Sequence, residues 1–209
     1  PASYPGSGTS WTDTIGSKVF TLINGPTYNS GNGGSIVFDP VSSQHADGPS
    51  FASTLSNWTV ETWVYHDATS MTIGGSACLV TELYYGNPLN FTLGNTNDSF
   101  PYIQNGSFNG GWASTPNGVV TLTSGHWYQV AGSWDGTIMT LYINGMVASS
   151  QDLSGFSVAR GGAGIRLMGR WDNNQWWGGR LSVVRIYDTS IGHTGVLQNF
   201  NANRSRFGL

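Results

Sequence analysis

One cysteine, one lysine and two glutamates in a chain of 209 residues put several kinds of protein out of reach. Cys78 stands alone, so neither an intrachain disulfide nor a thiolate metal site is available. Within Ala-Cys-Leu-Val it reads as a buried, unreactive thiol. Charged residues make up 9% of the chain, against about a quarter in ordinary globular domains. Lys18 is the only lysine, and the seven arginines all lie at or beyond residue 160, scattered over several segments. A surface that tracks phosphates needs a basic stripe, so nucleic acid is not an expected partner. No apolar run approaches the roughly 20 residues of a membrane-spanning helix, and no membrane insertion is expected. The chain opens at Pro1 without a signal-peptide pattern, as in a processed chain or a segment of a longer one.

What is present is 30 glycines, 13% aromatic residues and a surface that must be built from Ser, Thr, Asn and Gly. These residues suit turns and short strands. Residues 35–39 (SIVFD) place Ile36 and Phe38 on one face of a strand. Residues 58–65 (WTVETWVY) carry apolar groups on both faces, the pattern of a strand packed on two sides. The clearest segment is 126–147: WYQVAGSW reads as a strand, Asp135-Gly136 as a tight turn and TIMTLYI as the antiparallel partner. Asn144-Gly145 then starts the next reversal, both dipeptides being able to supply the positive φ angles of a type I′ turn. Further strands are expected at 164–168 and 180–187, and Val196, Leu197 and Phe200 fit one or two helical turns. Many strands and almost no helix predict an all-β, two-layer antiparallel sandwich closed by a short C-terminal helical turn. One domain is expected over 1–209, with 1–32 as an N-terminal extension packing on it.

NWTVETWVY at 57–65, GHWYQVAGSWDGTIMTLYINGMV at 125–147 and GRLSVVRIYDTSI at 179–191 resemble, in this order, the concanavalin A-like, laminin-G-like jelly-roll family. The resemblance covers roughly residues 33–200 and implies a jelly-roll sandwich. SYPGSGTSWTDTIG…LINGPTYNSGNGGSIVFD and the closing LQNFNANRSRFGL are similar to modules in structural proteins of phages and large DNA viruses. That similarity implies a virion-surface or extracellular location and a glycan or host-surface polysaccharide as partner, or neighbouring structural-protein subunits. The fold hosts lectins, hydrolases and lyases alike, so function has to be argued from sites.

A glycosidase needs two carboxylates flanking the scissile bond. Family hydrolases carry them on one strand as Glu-x-Asp-x-Glu, whereas here Glu61 and Glu82 each lack an acidic neighbour two residues away. The four histidines lie in separate segments, with His66-Asp67 the one adjacent acid–base pair. No catalytic residue is assigned; a hydrolase or lyase stays the remotest of three readings. Calcium takes six to eight oxygens, and the loops 95–98 (NTND) and 172–174 (DNN) contain ligands of that kind. No complete ligand set is legible.

Three tryptophans crowd RWDNNQWWGGR at 170–180. Trp177 occupies the position where the resembling family buries an aromatic, and is assigned to the core. Trp171 and Trp176 flank Asp172, Asn173 and Asn174, and Trp112 sits in the glycine-flanked FNGGWAS. Aromatic faces beside amides and carboxylates suit sugars, whose C–H faces stack while their hydroxyls hydrogen-bond. These six residues form the candidate carbohydrate site. The same tryptophans serve equally well as cover for the sheet or as contacts to another subunit. A non-catalytic binding module and a purely structural decoration domain therefore stand side by side.

Overall fold

The computed structural model describes residues 3–50, 57–71, 76–82, 91–96, 101–106, 112–115, 120–155, 164–170 and 172–209. In chain order the strands are β1 (Ser10–Thr12), β2 (Val19–Ile23), β3 (Thr27–Asn29), β4 (Ser35–Phe38), β5 (His45–Gly48), β6 (Trp58–Met71), β7 (Ser76–Glu82), β8 (Phe91–Thr96), β9 (Pro101–Gly106), β10 (Trp112–Ser114), β11 (His126–Trp134), β12 (Ile138–Ile143), β13 (Met146–Asp152), β14 (Ile165–Leu167) and β15 (Trp177–Tyr187). Among the described residues they form two antiparallel sheets, ordered β1-β2-β5-β14-β7-β8-β9-β10 and β13-β12-β11-β6-β15-β4-β3. This is the jelly-roll sandwich expected from the sequence. Residues 10–29 supply strands to both sheets.

The core between the sheets holds Phe20, Ile36, Phe38, Trp58, Val60, Trp134, Leu167, Trp177 and Leu181. Cys78 lies fully buried, and burial pushes its thiol up to about 12, so it is chemically silent. The two-sided character of β6 is real: Trp58, Val60 and Val64 face the core, while Trp63 stacks on Phe200 and Phe207 on the opposite side. That outer side is covered by α1 (Gly192–Asn203) and the 3-10 turn Arg204–Phe207 that follows. The helix is thus longer than the one or two turns expected.

The two hairpin turns differ from each other. Asn144 (φ 51°) and Gly145 (φ 78°) both take positive φ, as a type I′ turn requires. At the first turn only Gly136 does so. Asp135 works instead through its carboxylate, whose Oδ1 accepts from the backbone N–H groups of Thr137 (2.8 Å) and Ile138 (2.7 Å).

Candidate functional site

On β14, Ile165 and Leu167 are buried against the opposite sheet, and alternation sends Arg166 to the other face. Register places Asp47 of β5 and Thr81 of β7 on either side of it. Arg166 grips Asp47 with two parallel bonds, Nε to Oδ1 (2.7 Å) and Nη2 to Oδ2 (2.8 Å). Its remaining donor, Nη1, reaches Asn173 Oδ1 (2.6 Å) and the Arg170 carbonyl (3.1 Å), tying the following hairpin to the sheet.

That hairpin, residues 168–177, carries the chain from one sheet to the other. It is closed by Trp177 N–H to the Met168 carbonyl (3.0 Å) and Arg170 N–H to the Gln175 carbonyl (2.7 Å). The Arg170 guanidinium clasps both oxygens of Asp172 and bonds Gln175 Oε1 (2.8 Å). Asn173 sits in the left-handed region (φ 59°), which its short amide tolerates. Adjacent tryptophans then part company. Trp177 is fully buried in the core, as expected, while Trp176 is half-buried on the outside and stacks on His45 at 4.7 Å with 25° between the planes. The Arg166 guanidinium lies 5.4 Å from the same ring, within cation–π range. His45 Nδ1 donates to the Ser43 carbonyl (2.8 Å), fixing the ring beneath Trp176.

Asp172, Asn173, Asn174 and Trp176 thus lie on one hairpin, tied by hydrogen bonds to β14. The side chains of Asn173 and Asn174 are exposed, and Asn174's amide has no partner among the described residues. Trp171 lies outside the described residues; Trp112 lies in β10, and its side chain is outside them as well. The sequence reading missed His45, Asp47, Arg166 and Gln175, which hold the site in shape.

Both Asp47 and Asp172 titrate below the usual carboxylate range. Burial works to raise Asp47, but the hydrogen bonds and charge of Arg166, with His45 behind them, hold it at about 2 against an ordinary value of 3.8. Burial likewise opposes ionisation of Asp172 and is overcome by Arg170. A depressed carboxylate stabilises the fold above its unfolded pKa and loses that contribution as pH falls through its folded one. Asp47 alone should therefore withdraw about 2 kcal/mol between roughly pH 4 and pH 2. Denaturation midpoints across this window should show the loss in the wild type and a flatter profile in Asp47→Asn.

The site has little room for a cation. Asp172's oxygens are held by Arg170 and Asn173 Oδ1 by Arg166, so the 172–174 loop does not fit calcium. Of the other loop considered, Asn95 and Thr96 belong to β8, and residues 97–98 lie outside the described residues. Among the described residues, no three His, Cys, Asp or Glu side chains converge as metal ligands do. Both glutamates are fully buried, and Glu61 is held by Arg185 and Asn199 under the C-terminal helix, out of reach of a substrate. His66 is buried against Trp177, and burial keeps its imidazole below its ordinary pKa.

Residues 40–196 match the family model described as the concanavalin A-like lectin/glucanases superfamily. No protein of curated function matches by sequence. Among solved structures, domain 4 of an extracellular arabinanase from Geobacillus stearothermophilus, solved with arabinotriose, is 20% identical with a TM-score of 0.70, over 90% of this chain and 91% of that one. The binding domain of botulinum neurotoxin serotype G is 11% identical (TM-score 0.73, 93% of this chain, 49% of that one). The binding domain of Paraclostridial Mosquitocidal Protein 1 is 17% identical (TM-score 0.73, 94% of this chain, 50% of that one). This chain spans about half the length of those two toxin domains. At such identities the likeness is one of fold.

Proposed function

Because the chain belongs to the concanavalin A-like lectin/glucanases superfamily, we propose that it is a non-catalytic carbohydrate-binding module, displayed on an extracellular or virion surface, whose contact site is the 168–177 hairpin. The observation that carries this reading is Trp176. The ring is braced from behind by His45 and Arg166, and exposed amides stand beside it on the same hairpin. A platform fixed before binding loses little side-chain freedom on contact, which favours weak, neutral ligands such as sugars. Asp172 and Asn173 shape the loop and Asn174 offers free hydrogen-bonding groups, with Trp171 and Trp112 as further stacking faces. A relative in fold solved with arabinotriose supports a neutral oligosaccharide as the ligand class. Low surface charge suits such a ligand, and partner structural subunits would meet the same exposed aromatics.

A glycan array on the wild type, and on a Trp171→Ala/Trp176→Ala double variant, tests the assignment. Sugar binding by the wild type should fall at least tenfold in the double variant while its melting transition persists. Undiminished binding in the variant would move the site elsewhere. Absence of any sugar binding, together with concentration-dependent self-association that the substitutions abolish, would favour the assembly role.

A further inference from the structure

The sandwich has an open flank. β4 pairs with β15 only at Gly179–Leu181; from Val183 to Tyr187, β15 pairs with β6 alone among the described residues. Beyond Ile36 and Ser35 the chain turns away at Gly34 (φ 102°) instead of continuing along the edge. A cleft of about 970 Å³ lies here, between β15 and the N-terminal segment that carries β1. Its floor is apolar, with Trp11, Val184 and Ile186 packed on the core yet only half-buried. The backbone on this edge of Val183–Tyr187 has N–H and C=O groups that no described residue engages. Such an edge is a template for another strand.

The end of the cleft beside β4 is cationic. Arg206 bonds the Asn32 and Gly34 carbonyls and Ser182 Oγ, all neutral, and among the described residues no carboxylate pairs with it. Its Nη1 makes no hydrogen bond among the described residues. Arg185 lines the same cleft, and burial and then that second charge hold Arg206 below the usual arginine pKa. Ser35, also lining the cleft, has a buried hydroxyl with no hydrogen-bond partner among the described residues. At the opposite end Asp188 is exposed and has no cationic partner among the described residues.

Chain direction turns these features into one recognition scheme. β4 runs antiparallel to β15, so a strand entering in line with β4 runs the same way and ends against Ser35. Whatever carboxylate terminates it falls beside Arg206. We propose that this flank captures the C-terminal end of a partner polypeptide as an added antiparallel strand on Val183–Tyr187, with its terminal carboxylate against Arg206. Apolar residues at alternate positions of that strand would cover Val184, Ile186 and Trp11, and a basic residue near its start would meet Asp188. Main-chain pairing would supply affinity and the carboxylate contact would select chain ends. This site is independent of the 168–177 hairpin.

The probe is the peptide acetyl-Lys-Thr-Val-Thr-Val-Thr-Val with a free C-terminus, compared with its C-terminal amide by fluorescence anisotropy. The free acid should bind at least tenfold more tightly than the amide. It should also slow hydrogen exchange at the backbone amides of 183–187. Arg206→Gln should bring the acid down to the amide's affinity, and Trp176→Ala should change nothing. Equal affinity for acid and amide, no binding of either at millimolar concentration, or binding without protection at 183–187 would each overturn the proposal. The acid–amide comparison leaves the protein untouched, so it stands even where Arg206→Gln loosens the turn it fastens.

Discussion

Arg185→Ala should destabilise the domain by about 3 kcal/mol or more, because it strands a carboxylate that has no access to water. Glu61 is fully buried on the outer face of the second sheet, and Arg185 Nη1 meets its Oε1 at 2.5 Å. Asn199 of α1 donates to Oε2 (2.8 Å), so strand and helix share one buried charge. Removing one partner of such a pair exposes the full desolvation penalty of the other. The double substitution Glu61→Leu/Arg185→Met removes both charges and should return stability to within about 1 kcal/mol of the wild type. Asn199 keeps its bond to the Tyr187 hydroxyl (2.8 Å) in that variant. Denaturant unfolding of the three proteins decides the matter. A cost below about 1 kcal/mol for Arg185→Ala would mean that water reaches Glu61 beneath the helix.

A second large effect is expected at Gly179, where β15 shifts register against β6. Its φ of 125° lies in a region closed to residues with a side chain, and an added Cβ would run into the Tyr65 backbone carbonyl. Nothing there can yield, because Tyr65 is held in the strand ladder on both sides. Gly179→Ala should therefore cost about 3 kcal/mol or more, or prevent folding altogether. Gly155 is the control: a Cβ there meets nothing within 4 Å, and Gly155→Ala should leave the unfolding midpoint nearly unchanged. Equal behaviour of the two variants would show that the register shift relaxes around a side chain.

The elements that could be read from sequence are those whose instructions are local. Asn144-Gly145 dictates its turn through two positive φ angles, and the apolar residues on both faces of WTVETWVY announce a strand covered twice. The C-terminal helix is different. Gly192–Asn203 contains two glycines and three asparagines, and only Val196 is fully buried, so its own spacing suggests a turn or two. Its length comes from docking on Trp63, Ala131 and Tyr142, whose exposed side the sequence does not reveal. The candidate site divides the same way. Adjacent Trp176 and Trp177 were separable because Trp177 stands where the resembling family buries an aromatic. The partners that brace Trp176 were not: His45 lies far from it in the chain, and Arg166 is set in place by Asp47, 119 residues away. Nor does composition reveal that Asp172 spends its charge on Arg170, two positions away, instead of offering it to a ligand.

The pairing of β6 with β15 has a bearing on how the chain is made. One of the two central pairings of the second sheet joins residues 58–71 to residues 177–187, and its ion pair spans 124 residues. Until the ribosome has added residues 177–187, β6 has its apolar side chains displayed and one long edge empty. Neither local helix nor an early hairpin can hide them, since the 126–147 hairpin covers only the other edge. Folding of the sandwich must therefore await completion of β15 and proceed slowly, as topologies rich in distant pairings do. During synthesis the nascent chain is the form of this protein most exposed to wrong partners.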